Sequence, residues 1–103
     1  LNETVKKYSI TRKQVSKLLS QIKGLNYREP DGAFYFYLDI TDLNNNSEKL
    51  TRKILNETGV ALTPGTDFDK KFGHRTLRLA FSSDKRKVIE AVKKLKKWFT
   101  QNY

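Results

Sequence analysis

The chain has 103 residues, 12% of them aromatic, and its twenty-one basic against eleven acidic residues give a formal net charge of +10. That aromatic content excludes a disordered polybasic tail, and the length suits one compact domain with too little interior for a deep active site of its own. With no cysteine and one histidine, the chain has neither a disulfide framework nor a thiolate or multi-histidine metal site.

In chain order, Val15, Leu18, Leu19 and Ile22 recur at helical spacing, which predicts an amphipathic helix over residues 11–23 with a capping box from Thr11 and Gln14 and a stop at Gly24. Pro30, Asp31 and Gly32 then supply turn chemistry, and residues 33–40 form an aromatic and branched run suited to a buried strand. Asn44, Asn45 and Asn46 end it. Ser47 is placed to cap a second helix with Leu50, Ile54 and Leu55 on its inward face, closed by Gly59 and followed by a short apolar strand, Val60 to Leu62.

Residues 63–69 are rich in turn formers, and Thr76 to Phe81 alternate as a strand with Leu77, Leu79 and Phe81 on one face. Ser82 or Ser83 caps a last helix, striped by Val88, Val92, Leu95 and Phe99 and widened by Ile89, Ala91 and Trp98. The order α-β-α-β-β-α predicts an α/β (α+β) two-layer sandwich over a single domain, residues 1–103. Its sheet is expected to be small and mixed, with the second helix crossing between parallel strands and helices mainly on one face.

The charge is the first lead to function. A basic surface with interleaved aromatics is what a nucleic-acid or polyanion module needs, but the lysines and arginines of the last helix fall between its apolar positions, as a solvated face does. Of the consecutive Phe34, Tyr35, Phe36 and Tyr37, only two can face a ligand.

Arg78 is the second lead. Alternation places Thr76, Arg78 and Ala80 opposite the apolar face, so Arg78 stands in the middle of the uncovered side among small neighbours. There a guanidinium is accessible for bidentate pairing with a carboxylate; an ordinary exposed arginine, or one paired with Asp39 or Asp42, is the other reading. His74 stands without a Ser, Cys and carboxylate pattern around it. The carboxylate pairs Asp39 with Asp42 and Asp67 with Asp69 lack metal-loop spacing and lie where turns favour Asp.

Three segments in series resemble the carboxy-terminal small domain of pyridoxal-phosphate-dependent aminotransferases of fold type I, class I/II, and especially the aspartate-aminotransferase-like members. PDGAFYFYLDI at 30–40 is similar to the family's strand entry. LTRKILNETGVALTPGTDFD at 50–69 resembles its helix, Gly-Val-Ala strand and Pro-Gly-x-x-Phe loop, and GHRTLRLAFSS at 73–83 resembles its arginine-bearing strand. The resemblance implies that Arg78 grips the substrate α-carboxylate. Asp69 and Ala80 depart from the family's usual Gly and Ser, and Arg75 is a candidate for assisting an acidic substrate side chain.

No segment resembles the Schiff-base lysine, pyridine-nitrogen aspartate or phosphate-binding motifs, which the family carries in its large domain. The resemblance therefore implies a fragment of a larger aminotransferase that moves an amino group between an amino acid and a 2-oxo acid. This piece has no catalytic, cofactor-binding or metal residue and is not expected to retain pyridoxal 5'-phosphate or to be active alone. A first residue of Leu points the same way. The implied parent is a homodimer of amino-acid metabolism, completed by the large domain of the same polypeptide. A cytoplasmic setting without membrane or nucleic acid is expected, since no stretch reads as a signal peptide or approaches the ~20 apolar residues of a membrane span.

Overall fold

The computed structural model describes residues 3–28, 35–44, 46–80 and 85–103, with 3–9 by backbone alone. Helix α1 (Glu3–Ser20) starts earlier than the spacing predicts. Residues 3–10 hold no Gly or Pro to stop a helix, and each further residue adds a backbone hydrogen bond, so Thr11 is buried in mid-helix instead of capping it. Beyond Ser20 the turn tightens as the Gln21 and Ile22 amides donate to Leu18 and Leu19, which keeps Ile22 and Leu25 in the core.

Strand β1 (Asn26–Arg28) was not anticipated, because three residues are too few for alternation to register. Strand β2 (Tyr35–Asp39) occupies the middle of the expected aromatic run; the turn at 30–32 and the residues up to Phe34 lie outside the described residues. Helix α2 (Ser47–Thr58) is capped by Asn46, whose side chain accepts from the Lys49 amide, and not by Ser47. Ser47 is fully buried and donates its hydroxyl to the Gly73 carbonyl at 2.6 Å. Gly59 ends the helix in the left-handed conformation, its amide bonding back to Leu55.

Residues 60–62 are not a strand. The Val60 amide bonds to the Thr58 hydroxyl instead of to a neighbouring chain, and the strand comes later and shorter, as β3 (Thr63–Pro64). Strand β4 (Thr76–Ala80) and helix α3 (Lys85–Asn102) follow; Phe81 and the serines proposed to cap α3 lie outside the described residues.

The two-layer α/β arrangement is present, but the sheet is antiparallel throughout, in the order β1-β2-β4-β3. β2 and β3 are both antiparallel to β4 and so run in the same direction, as the crossover through α2 requires. They are not neighbours, because β4 occupies the place between them. β4 carries Leu77 and Leu79, whose burial is best met in the sheet centre, whereas Pro64 has no amide to donate and suits an edge.

One apolar cluster joins Val15, Leu19 and Ile22, Leu50 and Ile54 of α2, and Val88, Val92, Leu95, Trp98 and Phe99 of α3 to one face of the sheet, Phe36, Leu38, Leu77 and Leu79. The helices therefore cover that face. The other face carries the half-buried Tyr35, Tyr37, Asp39, Thr76 and Arg78 and the exposed Ala80. Leu55, expected inside, is 47% exposed. The structure thus separates two leucines that the sequence treats alike. Leu77→Ala should lower stability by about 2–5 kcal/mol, and Leu55→Ala should change it by no more than ~0.5 kcal/mol, as read from denaturant midpoints.

Candidate functional site

The open face of the sheet is built from the register of its central pair. Tyr37 lies directly opposite Arg78, flanked by Arg28 on β1 and Thr63 on β3. These four residues form one row across the uncovered side, and Tyr35 with Ala80 forms the next row along β2 and β4. Arg78, reached from alternation alone, does stand on the uncovered face.

Its surroundings are aromatic. The Arg78 guanidinium carbon lies 5.4 Å from the centre of the Tyr35 ring and 5.2 Å from that of Phe68. Tyr37 packs against both rings, at 5.2 Å from Tyr35 and 5.4 Å from Phe68. The pairing of Arg78 with Asp39 or Asp42 does not form among the described residues. The Asp39 carboxylate accepts from the Thr41 amide and hydroxyl. Burial acts to raise its pKa, but those two hydrogen bonds and the nearby Arg75 hold it below the ordinary value.

Tyr37 is pushed above the ordinary tyrosine value, first by its hydrogen bond to the Tyr35 hydroxyl, then by burial and the neighbouring phenol, while Arg78 and Arg28 pull it the other way. Both guanidinium groups therefore act on one phenol, which stays protonated and remains a donor. An anion placed at Arg78 would meet a charged fork in a partly desolvated, ring-lined setting, where charge-assisted hydrogen bonds gain strength.

Phe68 reaches this face through a junction of two short turns. The 3₁₀ turn Gly65–Asp67 precedes it, and its amide donates to the Gly65 carbonyl at 3.0 Å. The second turn, Gly73–Arg75, leads directly into β4. The two turns meet glycine to glycine: a β-carbon on Gly73 would lie 2.5 Å from the Gly65 carbonyl carbon, and one on Gly65 would lie 2.6 Å from the Gly73 carbonyl oxygen. These glycines serve close backbone packing, which couples the loop bearing Phe68 to the strand bearing Arg78. Asp69, the departure from the family's glycine, accepts from the Lys71 and Phe72 amides and turns the chain between them.

Beside the row lies an open cavity of about 300 Å³, where Arg28 and Arg75 face Asp39 and Asp69. Its opposite charges offset one another, and Arg75 further rests on the exposed Phe72 ring at 4.4 Å. His74 is exposed in the second turn. Among the described residues no group of three His, Asp or Glu is placed to hold a metal. From residue 10 onward every described lysine is exposed except the half-buried Lys96, which donates to Gln21 at 2.7 Å. The described residues therefore do not fit pyridoxal phosphate: the cavity-lining lysines, Lys85, Lys87, Lys93 and Lys94 beside Glu90, are exposed on the solvated face of α3 and not seated in a buried site.

Sequence reasoning reached Arg78 and the expectation that only two of the aromatics at 34–37 face outward; the structure places Tyr35 and Tyr37 on the open face and buries Phe36. It missed Arg28, which needs the three-residue β1 to reach the face, and gave Phe68 no role at Arg78, since the residues between them are mostly turn and loop. The basic residues of α3 lie on its solvated face, while its Trp98 and Phe99 are buried and offer no stacking platform.

Residues 1–95 match the family model described as aminotransferase class I and II. The chain is 34% identical over 97 residues to an aspartate aminotransferase of Pyrococcus horikoshii, covering 94% of this chain and 25% of that protein. It is 36% identical over 92 residues to a valine–pyruvate aminotransferase of Mycobacterium tuberculosis, covering 88% and 24%. The fold superposes on the crystal structure of an aminotransferase from Mycobacterium tuberculosis with a TM-score of 0.86 and 32% identity, covering 95% of this chain and 25% of that one. The chain thus spans about a quarter of the length of these relatives, and the polyanion-binding alternative finds no support among them.

Two outcomes follow from the junction and the phenol. Gly73→Ala should destabilise by more than Gly59→Ala in denaturant melts. The first forces backbone apart, at about 1–3 kcal/mol or more; the second adds a β-carbon in open space at a φ of 78°, with only the left-handed strain of about 1–2 kcal/mol. In tyrosinate absorbance titrations, Tyr37→Phe should delete a phenol that ionises above the ordinary value, and Arg78→Leu should move that phenol higher still. Because the folded pKa is the raised one, this phenol's contribution to stability is present below its unfolded pKa of ~10 and is lost as pH rises through the folded value.

Proposed function

The chain belongs to the aminotransferase class I and II family, and on that premise we propose that it is the carboxy-terminal small domain of a longer pyridoxal-phosphate-dependent aminotransferase. In this reading Arg78 binds the α-carboxylate of the amino acid and of the 2-oxo acid formed from it. The observation that carries the reading is the position of Arg78: mid-strand on the uncovered face, against aromatic rings, with no carboxylate partner among the described residues. Its assignment through the family's arginine-bearing strand and its accessibility by alternation are independent arguments for the same residue.

The chemistry this chain supplies is binding and orientation. A guanidinium that pairs bidentately with a carboxylate fixes both the position and the plane of the group, and so limits rotation of the bond to be broken. The electron-sink chemistry of amino-group transfer belongs to the cofactor. The residues that hold it fall to the large domain, for which the quarter-length match leaves room. Homodimeric assembly and a cytoplasmic setting extend the proposal from the family resemblance; no helix among the described residues is long and apolar enough to cross a membrane. The aspartate and valine–pyruvate activities named for the two relatives differ in side chain and share the α-carboxylate, which supports assigning Arg78 to the common group.

In the full-length enzyme, Arg78→Leu should lower kcat/KM for the amino acid by roughly 100-fold or more. Two charge-assisted hydrogen bonds worth ~1.5–3 kcal/mol each are lost, and each 1.4 kcal/mol is tenfold. Cofactor absorbance should be unchanged. Steady-state kinetics alongside the visible spectrum check this, and an unaltered kcat/KM would remove Arg78 from the role.

A further inference from the structure

We propose that Phe68 and Tyr35 are positioning residues of the carboxylate site, acting through Arg78. The inference rests on the reading of Arg78 above and goes beyond it, by assigning the orientation of the guanidinium to a ring clamp. An arginine in mid-strand has four rotatable bonds and, with only Ala80 and Thr76 beside it on its own strand, no packing of its own to select a rotamer. Here its guanidinium carbon lies over two rings at once, Tyr35 at 5.4 Å and Phe68 at 5.2 Å. Arg28 and Arg75, by comparison, each lie over one ring, Tyr37 and Phe72. At this range the ring faces attract the guanidinium charge, and rings seated on its flat sides would leave its in-plane N–H edge as the donor surface.

The rings are themselves held. Tyr37 stands edge-on to Tyr35 at 5.2 Å, with the interplanar angle at 83°, and packs on Phe68 at 5.4 Å. Phe68 follows the turn locked by the Gly65–Gly73 contact, and the second turn of that contact runs straight into β4. Ring and guanidinium are therefore referred to one rigid junction although nine residues separate them in the chain. Such an arrangement reduces the ordering cost of ligand binding, since the side chain is already in the binding rotamer. It also requires arginine: a lysine ammonium over the same rings would make a single-point contact with a carboxylate.

The test is a double-mutant cycle in the full-length enzyme, joined to a measurement on the 103-residue chain. Phe68→Leu keeps apolar volume and removes the ring; it should raise KM for the amino acid about tenfold with little change in kcat, and Phe68→Tyr should restore the original value. In an Arg78→Leu background, Phe68→Leu should add no further loss, because the ring acts through the guanidinium. In the chain itself, the nuclear magnetic resonance signal of the Arg78 Nε–H proton should be displaced by ring currents and should return toward that of an exposed arginine in Phe68→Leu.

Equal losses in both backgrounds would reduce Phe68 to a support of the fold and overturn the proposal. An undisplaced Arg78 Nε–H proton in the unsubstituted chain would do the same without any variant having to fold. If Arg78→Leu left kcat/KM intact while the proton was displaced, the carboxylate reading would fail and the ring contact would stand.

Discussion

The pairing of β2 with β4 is the constraint on which everything else in this molecule depends. Its register sets Phe36 opposite Leu79 and Leu38 opposite Leu77 on one side, and Tyr37 opposite Arg78 on the other. Because side chains alternate strictly, a slip of β4 by one residue would bury Arg78 under the helices and expose Leu77 and Leu79. The hydrophobic burial that stabilises the domain and the accessibility of its chemical group are therefore fixed by the same hydrogen-bond ladder.

The three helices act on this ladder from one side. Val88, Val92, Leu95 and Phe99 of α3 lay one continuous apolar stripe against the sheet, with Val15 and Leu19 of α1 and Leu50 and Ile54 of α2 closing the layer. The lysines that produce most of the positive charge fall between these positions and remain in water. The +10 charge is thus a by-product of amphipathic helices, and among the described residues the chemistry concentrates on the helix-free side.

That side has its own support, in the junction of the Gly65–Asp67 and Gly73–Arg75 turns. Ser47 ties it to the start of α2 by donating to the Gly73 carbonyl, and the glycines allow the backbones to approach more closely than any side chain would permit. Gly65 and Gly73 thus hold the two turns together where the composition says only that the chain turns. Between the two turns, Asp69 accepts from the Lys71 and Phe72 amides and so makes its turn from side-chain hydrogen bonds.

Periodicity in the sequence by itself located the three helices, the two central strands, most of the apolar set that fills the core and the outward position of Arg78, because each is a local property of spacing, whereas the N-caps expected at Thr11 and Ser47 and the inward Leu55 did not follow from it. The serial motifs pointed to the aminotransferase family, and the comparisons add that this chain spans about a quarter of the length of the relatives it matches. Only the tertiary structure decided that β4 separates β2 from β3, that a three-residue β1 brings Arg28 to the open face, that Asn46 caps α2 while Ser47 is buried, and that Phe68 meets Arg78. Each of these depends on which segments become neighbours across a fold. Alternation assigns a residue to a face, and neighbours on that face are chosen by strand order and loop path, which are properties of the packed chain as a whole.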